Sequence, residues 1–384
     1  VRIYRIDRPS DEKALLERLG CDSVGVTIMS RKMRTHLFLI KGMPAGAANI
    51  LKQDALAVGA DLAVPAGVVV CRGETFDGVL MGTKRQLLEL ARREKIQPFG
   101  LKKLGAAIET FLKKHAAPVK IMGVINANDD SFYPASRFRE SAAVAAIERM
   151  IEEGADIIDI GAVSSRPGSK PVEAREELAR LKPVLDAVRT QHLTQRAAFS
   201  IDSYTPEAVS YALECGFAIV NDITGMRNRK IGELAKTYGV QLVLMHMQGT
   251  PQTMQKNPVY EDVMLDLDRF FEERIEAAEE IGLKKDALIL DVGIGFGKKL
   301  AHNLKLLKNL EHFTRFGCPV LIGASRKSMI DSIVPTPVQE RLPGTLAIHL
   351  EAVRRGASIV RCHDIAAHRQ AIAVFEAIEK GETL

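Results

Sequence analysis

The chain has 384 residues, 46% of them hydrophobic and 26% charged, which suits an ordinary globular protein with room for two domains, or for one large barrel plus an extension. Its 53 Lys and Arg against 48 Asp and Glu leave a formal charge of +5, with the cations dispersed among acids. Without a sustained basic run or interleaved aromatics, that balance speaks against nucleic acid as a partner and mildly for small anionic ligands.

In chain order, residues 1–117 come first, with stretches such as "AANILKQDALAVGADLAVPAGVVVC" and "TKRQLLELARREKIQPFGLKKLGAAIETFLKKH" that read as helices and strands of a smaller α/β domain. No catalytic constellation stands out there, and the polar "LKKHAAP" suggests a junction. From Val119 one unit recurs: a short apolar strand, a polar tip and an amphipathic helix that often stops at glycine. The expected strands are Lys120–Asn126, Ile157–Gly161, Phe199–Ser203, Ala218–Asp222, Gln241–Met247, Ala287–Gly293, Pro319–Ser325 and Ser358–Asp364. Gly154, Gly216, Gly239, Gly282, Gly317 and Gly356 fall where helices end before the next strand. Eight buried strands alternating with helices over residues 118–384 predict a (β/α)8 TIM barrel preceded by the smaller N-terminal domain; a doubly wound open sheet is the alternative.

The five cysteines, Cys21, Cys71, Cys215, Cys318 and Cys362, lack a C-x-x-C pair and read mostly as buried reduced thiols. With no signal-like opening and no apolar run of 18 residues, a cytoplasmic protein without a membrane partner is expected.

Barrels of this type carry their chemistry at the C-terminal ends of the strands. Those ends hold Asn126, Gly161 leading into "SSRPGS", Asp202, Asn221–Asp222, His246, Asp291, Ser325-Arg326-Lys327, and Arg361 with His363–Asp364. Each alone has a plain explanation as a loop cap or structural residue. Together they fall into two kinds. Asp202, Asn221 and Asp291 suit a flat heterocycle rich in N–H donors and acceptors. Arg166, Lys327, Arg361 and His363 suit phosphate or pyrophosphate, and Asn126 suits a neutral oxygen ligand to a Mg²⁺ shared with that phosphate.

The glycine-rich "ALILDVGIGFGK" fits neither common nucleotide fingerprint. Gly293, Gly295 and Gly297 alternate, so the Rossmann spacing fails, and a Walker loop would need glycine at Val292 and Ser or Thr at Lys299. Asp291 is then the polar hook, and the glycines let the chain turn close to a ligand or let Phe296 wall its pocket; a structural turn with Phe296 in the core is the alternative.

In order along residues 119–380, "IMGVINANDDSF", "GADIIDIGAVSSRPGS", "FSIDSYTPEAV", "AIVNDITG", "VLMHMQGTPQTMQ", "ILDVGIGFGK", "LIGASRKSMI" and "IVRCHD" resemble the dihydropteroate synthase family of the folate pathway. Members of that family join 4-aminobenzoate to a dihydropterin methyl pyrophosphate and release pyrophosphate. The resemblance implies that Asp202, Asn221, Asp291 and Lys327 hold the pterin edge, that Ile223 and Met245 line its face, and that Phe296 and Arg361 flank it. It implies Asn126, Arg361 and His363 for pyrophosphate and its Mg²⁺. It implies Phe132, Ser165, Arg166, Pro167, Lys327 and Ser328 for aminobenzoate and its sulfonamide mimics. Asp130, Lys327, Arg361 and His363 would be catalytic, Asp130 by steadying a cation or accepting a proton. A homodimer is also implied.

Three departures stand against the family's usual pattern. The first loop reads Asn126-Ala127-Asn128-Asp129-Asp130-Ser131-Phe132 where N-V-T-P-D-S-F is usual, Val163 stands where glutamate is common, and Asp291-Val292-Gly293 replaces D-P-G. Two other readings compete. A methyltransferase acting on a reduced folate would share the pterin-edge Asp and Asn but has no need of "SSRPGS", "SRKS" and "RCHD". A pterin-binding paralogue without turnover would bind the pterin pyrophosphate and release nothing.

Overall fold

The structure is a computed structural model that describes residues 12–70, 74–112, 118–126, 136–164, 168–169 and 172–380. The chain divides into two compact units, one of residues 1–115 with 375–384 and one of residues 116–374.

The first unit contains helices α1 (Glu12–Arg18) and α2 (Ser23–Ser30), strand β1 (Thr35–Pro44), helix α3 (Ala45–Ala57), strands β2 (Asp61–Ala63) and β3 (Thr75–Thr83), and helices α4 (Lys84–Glu94) and α5 (Leu101–Phe111). Its strands pair antiparallel in the order β1-β3-β2. Phe76 and Leu80 on β3 alternate with more exposed neighbours and join a core with Leu51, Leu87 and Leu90. Helix α4 opens with a capping box in which the Thr83 hydroxyl and Gln86 exchange bonds with each other's backbone amides, a device worth about 1 kcal/mol. Its buried stripe runs Leu87, Leu90, Ala91 and Glu94. The helical period therefore carries a glutamate into the core. Glu94 is fully buried, and among the described residues neither carboxylate oxygen has a hydrogen-bond partner.

The second unit is the barrel anticipated from the sequence. Strands β4 (Lys120–Asn126), β5 (Ile157–Gly161), β6 (Ala198–Asp202), β7 (Ile219–Asp222), β8 (Gln241–Met245), β9 (Leu288–Asp291), β10 (Val320–Ile322) and β11 (Ile359–Cys362) close in chain order with every ladder parallel. Helices α6 (Ser136–Glu152), α7 (Ala174–Thr190), α8 (Pro206–Glu214), α9 (Arg229–Tyr238), α10 (Val263–Glu280), α11 (Leu300–Lys308), α12 (Ser328–Ile333), α13 (Leu342–Arg354) and α14 (Ile365–Lys380) follow the strands, the end of α14 from Phe375 counting with the first unit. The six helix-ending glycines all carry positive φ. Several ladders stop one to three residues short of the hydrophobic runs read from sequence, because the chain leaves the sheet to build the mouth loops.

Inside the barrel, Met122, Ile157, Ile219, Val243, Ile289, Leu321 and Ile359 form one apolar layer. Side chains alternate in and out along a strand, so the next inward position lies two residues further toward the mouth. There the sequence turns polar: Asp159, Asn221, Asp291 and Arg361 occupy those positions. A closed apolar plug thus underlies a charged layer. Among the described cysteines, Cys215, Cys318 and Cys362 are buried free thiols, Cys71 lies outside the described residues, and burial pushes Cys362 up to about 12. Among the described residues no helix is long and apolar enough to cross a membrane.

Candidate active site at the barrel mouth

Arg361, at the end of β11, sits between two carboxylates. Its Nε donates to Asp159 Oδ2 at 2.6 Å, and a terminal nitrogen donates to Asp202 Oδ2 at 2.7 Å. Asn221 donates to the same Asp159 oxygen at 3.0 Å. Four residues from four strands are therefore joined in one network. Burial disfavours the Arg361 charge, but Asp159 and Asp202 outweigh it and hold the proton more firmly than usual. Burial raises Asp202 to about 7, against Arg361 and with help from Asp159. Asp291 is also raised by burial, although its Oδ1 accepts from the Gly293 amide at 2.8 Å and Lys327 and Arg361 pull the other way.

An apolar surface adjoins this network. Ile223, Met245, Met247 and Met254 cluster with Tyr204 and Phe296 packed against them. The Lys327 ammonium lies 4.4 Å from the centre of the Phe296 ring and donates to the Ile294 carbonyl. Burial lowers Lys327 to about 8, with Asp291 opposing and Arg361 adding. A cavity of about 210 Å³ reaches Asp202 and Ile223 and extends to Val163, Ser164 and Ser169 of the second loop. A larger groove of about 320 Å³ lies on the outer wall at Tyr211 and Lys230 and meets none of these residues.

The glycine-rich loop after β9 is a braced turn. Lys298 points inward, and its three ammonium protons are shared among the carbonyls of His246, Gly293 and Phe296 at 3.1, 3.0 and 3.0 Å and His246 Nδ1 at 2.9 Å. While Lys298 is an ammonium it can only donate, and His246 is then neutral with its proton on Nε2. Burial together with Lys298 pushes the imidazole down to about 2. Burial lowers Lys298 to about 7, against the attraction of Asp291. Gln255 and Tyr260 donate to the carbonyls of Gly295 and Gly297, both at 2.7 Å. Gly293 has φ +65°, and a Cβ there would overlap the His246 carbonyl oxygen. The lysine thus locks the loop that carries Asp291 and Phe296, in place of cradling phosphate.

The expected site residues divide as follows. Asp202, Asn221, Ile223, Met245, Asp291, Phe296, Lys327 and Arg361 converge. Asn126 ends β4, paired in register with Gly161. His363 is exposed, its Nδ1 2.9 Å from Ser325 Oγ. Ser328 is exposed at the start of α12. Asp130, Phe132, Ser165, Arg166 and Pro167 lie outside the described residues. Two strand-end residues have other work: His246 faces Lys298 and the Phe270 ring, and Asp222 caps its own turn by accepting from Thr224 and Met226 amides.

Sequence reasoning missed Asp159 and the role of Lys298. The signal for Asp159 was a carboxylate inside the apolar run "IIDIG", which cannot stay charged in a barrel interior without partners.

A family model described as pterin binding enzyme matches residues 122–363. A bifunctional dihydropteroate synthase/dihydropteroate reductase from Helicobacter pylori is 41% identical over 374 residues, covering 97% of this chain and 98% of that protein. A dihydropteroate synthase from Haemophilus influenzae is 41% identical over 259 residues, 67% of this chain and 93% of its own. The solved Xanthomonas albilineans dihydropteroate synthase with 4-aminobenzoic acid superposes with a TM-score of 0.64 at 37% identity, over 69% of this chain and 94% of that one.

Proposed function

The chain belongs to the pterin-binding enzyme family, and on that premise we propose that it is a dihydropteroate synthase, a transferase that joins 6-hydroxymethyl-7,8-dihydropterin pyrophosphate to 4-aminobenzoate. The observation that carries the reading is the Asp159–Arg361–Asp202–Asn221 network beside the Ile223, Met245 and Phe296 surface. A flat, polar-edged, apolar-faced ligand suits that combination.

Asp202, Asn221 and Asp291 present acceptors and an amide to the pterin edge, and Lys327 adds a donor. Ile223, Met245 and Phe296 take the ring faces. Arg361 holds Asp202 through Oδ2, which leaves Oδ1 to accept a pterin N–H. Arg361 stays anchored by Asp159 and keeps a terminal nitrogen for pyrophosphate oxygen, with His363 nearby. Asn126 is the residue proposed to touch Mg²⁺. Mg²⁺ commonly keeps few protein ligands and is carried largely by substrate phosphates. When bound, it supplies positive charge for the departing pyrophosphate.

The C–O bond to pyrophosphate breaks first, its electron pair leaving with the phosphate, and the electron-rich pterin bears the positive charge on its methylene carbon. The aniline nitrogen then forms the new C–N bond and loses a proton. The fixed cations Arg361 and Lys327 stabilise the leaving charge without reorganising. Phe132, Ser165, Arg166, Pro167, Lys327 and Ser328 form the proposed aminobenzoate side, and Asp130 keeps its two expected roles, steadying the cation or accepting the aniline proton. A cytoplasmic homodimer completes the proposal. The test is pyrophosphate release with and without aminobenzoate and Mg²⁺. Release that needs both, matched by dihydropteroate, supports it; tight pterin binding with no release sinks it in favour of a non-catalytic paralogue.

A second reading concerns the first unit. Similarity to the bifunctional relative runs over 374 residues, against 259 for the synthase from Haemophilus influenzae. The added length takes in the first unit, which supports a reductase step on dihydropteroate there. Such a step adds a hydride and a proton across a C=N bond and needs a reduced nicotinamide or flavin as donor. Offering each donor with dihydropteroate and following donor oxidation tests it; no oxidation with either removes the reading.

A further inference from the structure

Two buried histidines behind the mouth take no part in the proposed binding. His349 on α13 and His368 on α14 are each 1% exposed. The Ala324 amide donates to His349 Nε2 at 3.1 Å. His349 Nδ1 lies 2.8 Å from His368 Nε2, and His368 Nδ1 lies 2.6 Å from the Asp364 carbonyl. An amide can only donate and a carbonyl can only accept. His349 Nε2 must therefore be bare and its Nδ1 must carry the proton, which it gives to His368 Nε2. The His368 proton then sits on Nδ1 and goes to Asp364. Only this hydrogen assignment satisfies all three bonds, with both rings neutral. Burial favours that state, holding His349 down at about 3 with His368 and Lys327 adding to it.

The relay joins the loop after β10 to the start of α14. Helix α13 offers that loop a second acceptor one turn earlier. Thr345 Oγ1 accepts from the Arg326 amide at 2.9 Å, so two alternate loop amides, 324 and 326, are bound by side chains four residues apart on one helix face. Arg326 has φ +56°, a left-handed backbone that an arginine rarely adopts. Asp364 grips its guanidinium through two oxygens, at 3.0 and 2.5 Å, and Arg341 donates to its carbonyl at 3.2 Å. The next residue is Lys327.

We propose that His349 and His368 are positioning residues whose directional relay holds the Ala324–Lys327 loop in the backbone conformation that aims Lys327 into the mouth. What Lys327 binds rests on the synthase reading; the relay itself does not.

Two experiments test this on the full chain. Nitrogen NMR of protein labelled with ¹⁵N-histidine, assigned with His349→Gln and His368→Asn, should show at neutral pH two neutral rings protonated on Nδ1. A cationic ring, or a proton on Nε2 of either, overturns the relay. Steady-state kinetics then compare His349→Leu, which leaves the Ala324 amide bare, with His349→Gln, whose side-chain oxygen can still accept from it. Leu should raise KM for dihydropterin pyrophosphate about tenfold, and Gln should return it to within about threefold of wild type. Equal losses in both variants that track their melting temperatures would reduce the pair to core packing and overturn the positioning role. If His349→Leu does not fold, His368→Asn replaces it, since its amide keeps the Asp364 bond while losing His349. Wild-type protein that binds no dihydropterin pyrophosphate would sink the synthase reading, and the NMR outcome would still decide the relay.

Discussion

The barrel mouth and the first unit each bury charge, and they solve the problem in opposite ways. In the mouth, Arg361 is held by two carboxylates and the Lys298 ammonium by four acceptors. In the first unit, Glu94 is fully buried with neither oxygen partnered among the described residues, and burial, with Asp54 adding, pushes its carboxyl up to about 7. A buried charge survives if partners replace its water; without partners it takes a proton and becomes neutral. The mouth therefore keeps the Arg361 charge ready to meet a ligand, whereas Glu94 stays silent below neutral pH.

Four measurements test that contrast. Removing the centre of the paired network should do most. Arg361→Ala leaves Asp159 buried without its cation and should cost about 3–5 kcal/mol by urea denaturation, with turnover lost; a variant as stable as wild type would show that the network is not held by this charge. Lys298→Met should cost about 2 kcal/mol, because buried carbonyls lose their donor. It should also weaken pterin binding through Asp291 and Phe296, read by titration calorimetry; unchanged affinity would free the loop from its lysine.

Glu94 should respond to pH in the opposite sense to a paired carboxylate. Its folded value lies above the ordinary 4.5. The stability it contributes is thus fully present below about 4.5 and is lost as pH rises through about 7. Denaturation midpoints of wild type should fall across that window, and Glu94→Gln should flatten the fall. A parallel decline in both proteins would mean that Glu94 has found a partner. The smallest effect belongs to the solvent-exposed pair Arg229–Glu233 on α9. A double-mutant cycle there should give about 0.3 kcal/mol at low salt and nothing measurable at high salt.

Much of the barrel was legible because its signals are local. The glycines ending helices and the alternation of apolar strands with amphipathic helices depend on neighbours a few residues away, and they yield eight β/α units without knowledge of any long-range contact. The strand-end residues Asp202, Asn221, Asp291, Lys327 and Arg361 were legible for the same reason, once a barrel was assumed. His246 and Asp222 also stand at strand ends, yet one faces outward to Phe270 and the other folds back on its own turn. Position along the strand did not reveal which way a residue past the ladder would turn.

The period of each element follows from local sequence, and through it which residues point into the barrel and which helix face is buried, Glu94 included. Only the tertiary structure decided who meets whom. Asp159 and Arg361 are 202 residues apart, and His246 and Lys298 are 52 apart. Such pairs exist only because closure of the sheet sets β11 beside β4 and the loop after β9 beside the end of β8. Local propensity acts through bonds and near neighbours, whereas the pairing of buried charges is imposed by exclusion of water from a closed interior, and no short stretch of chain contains that condition.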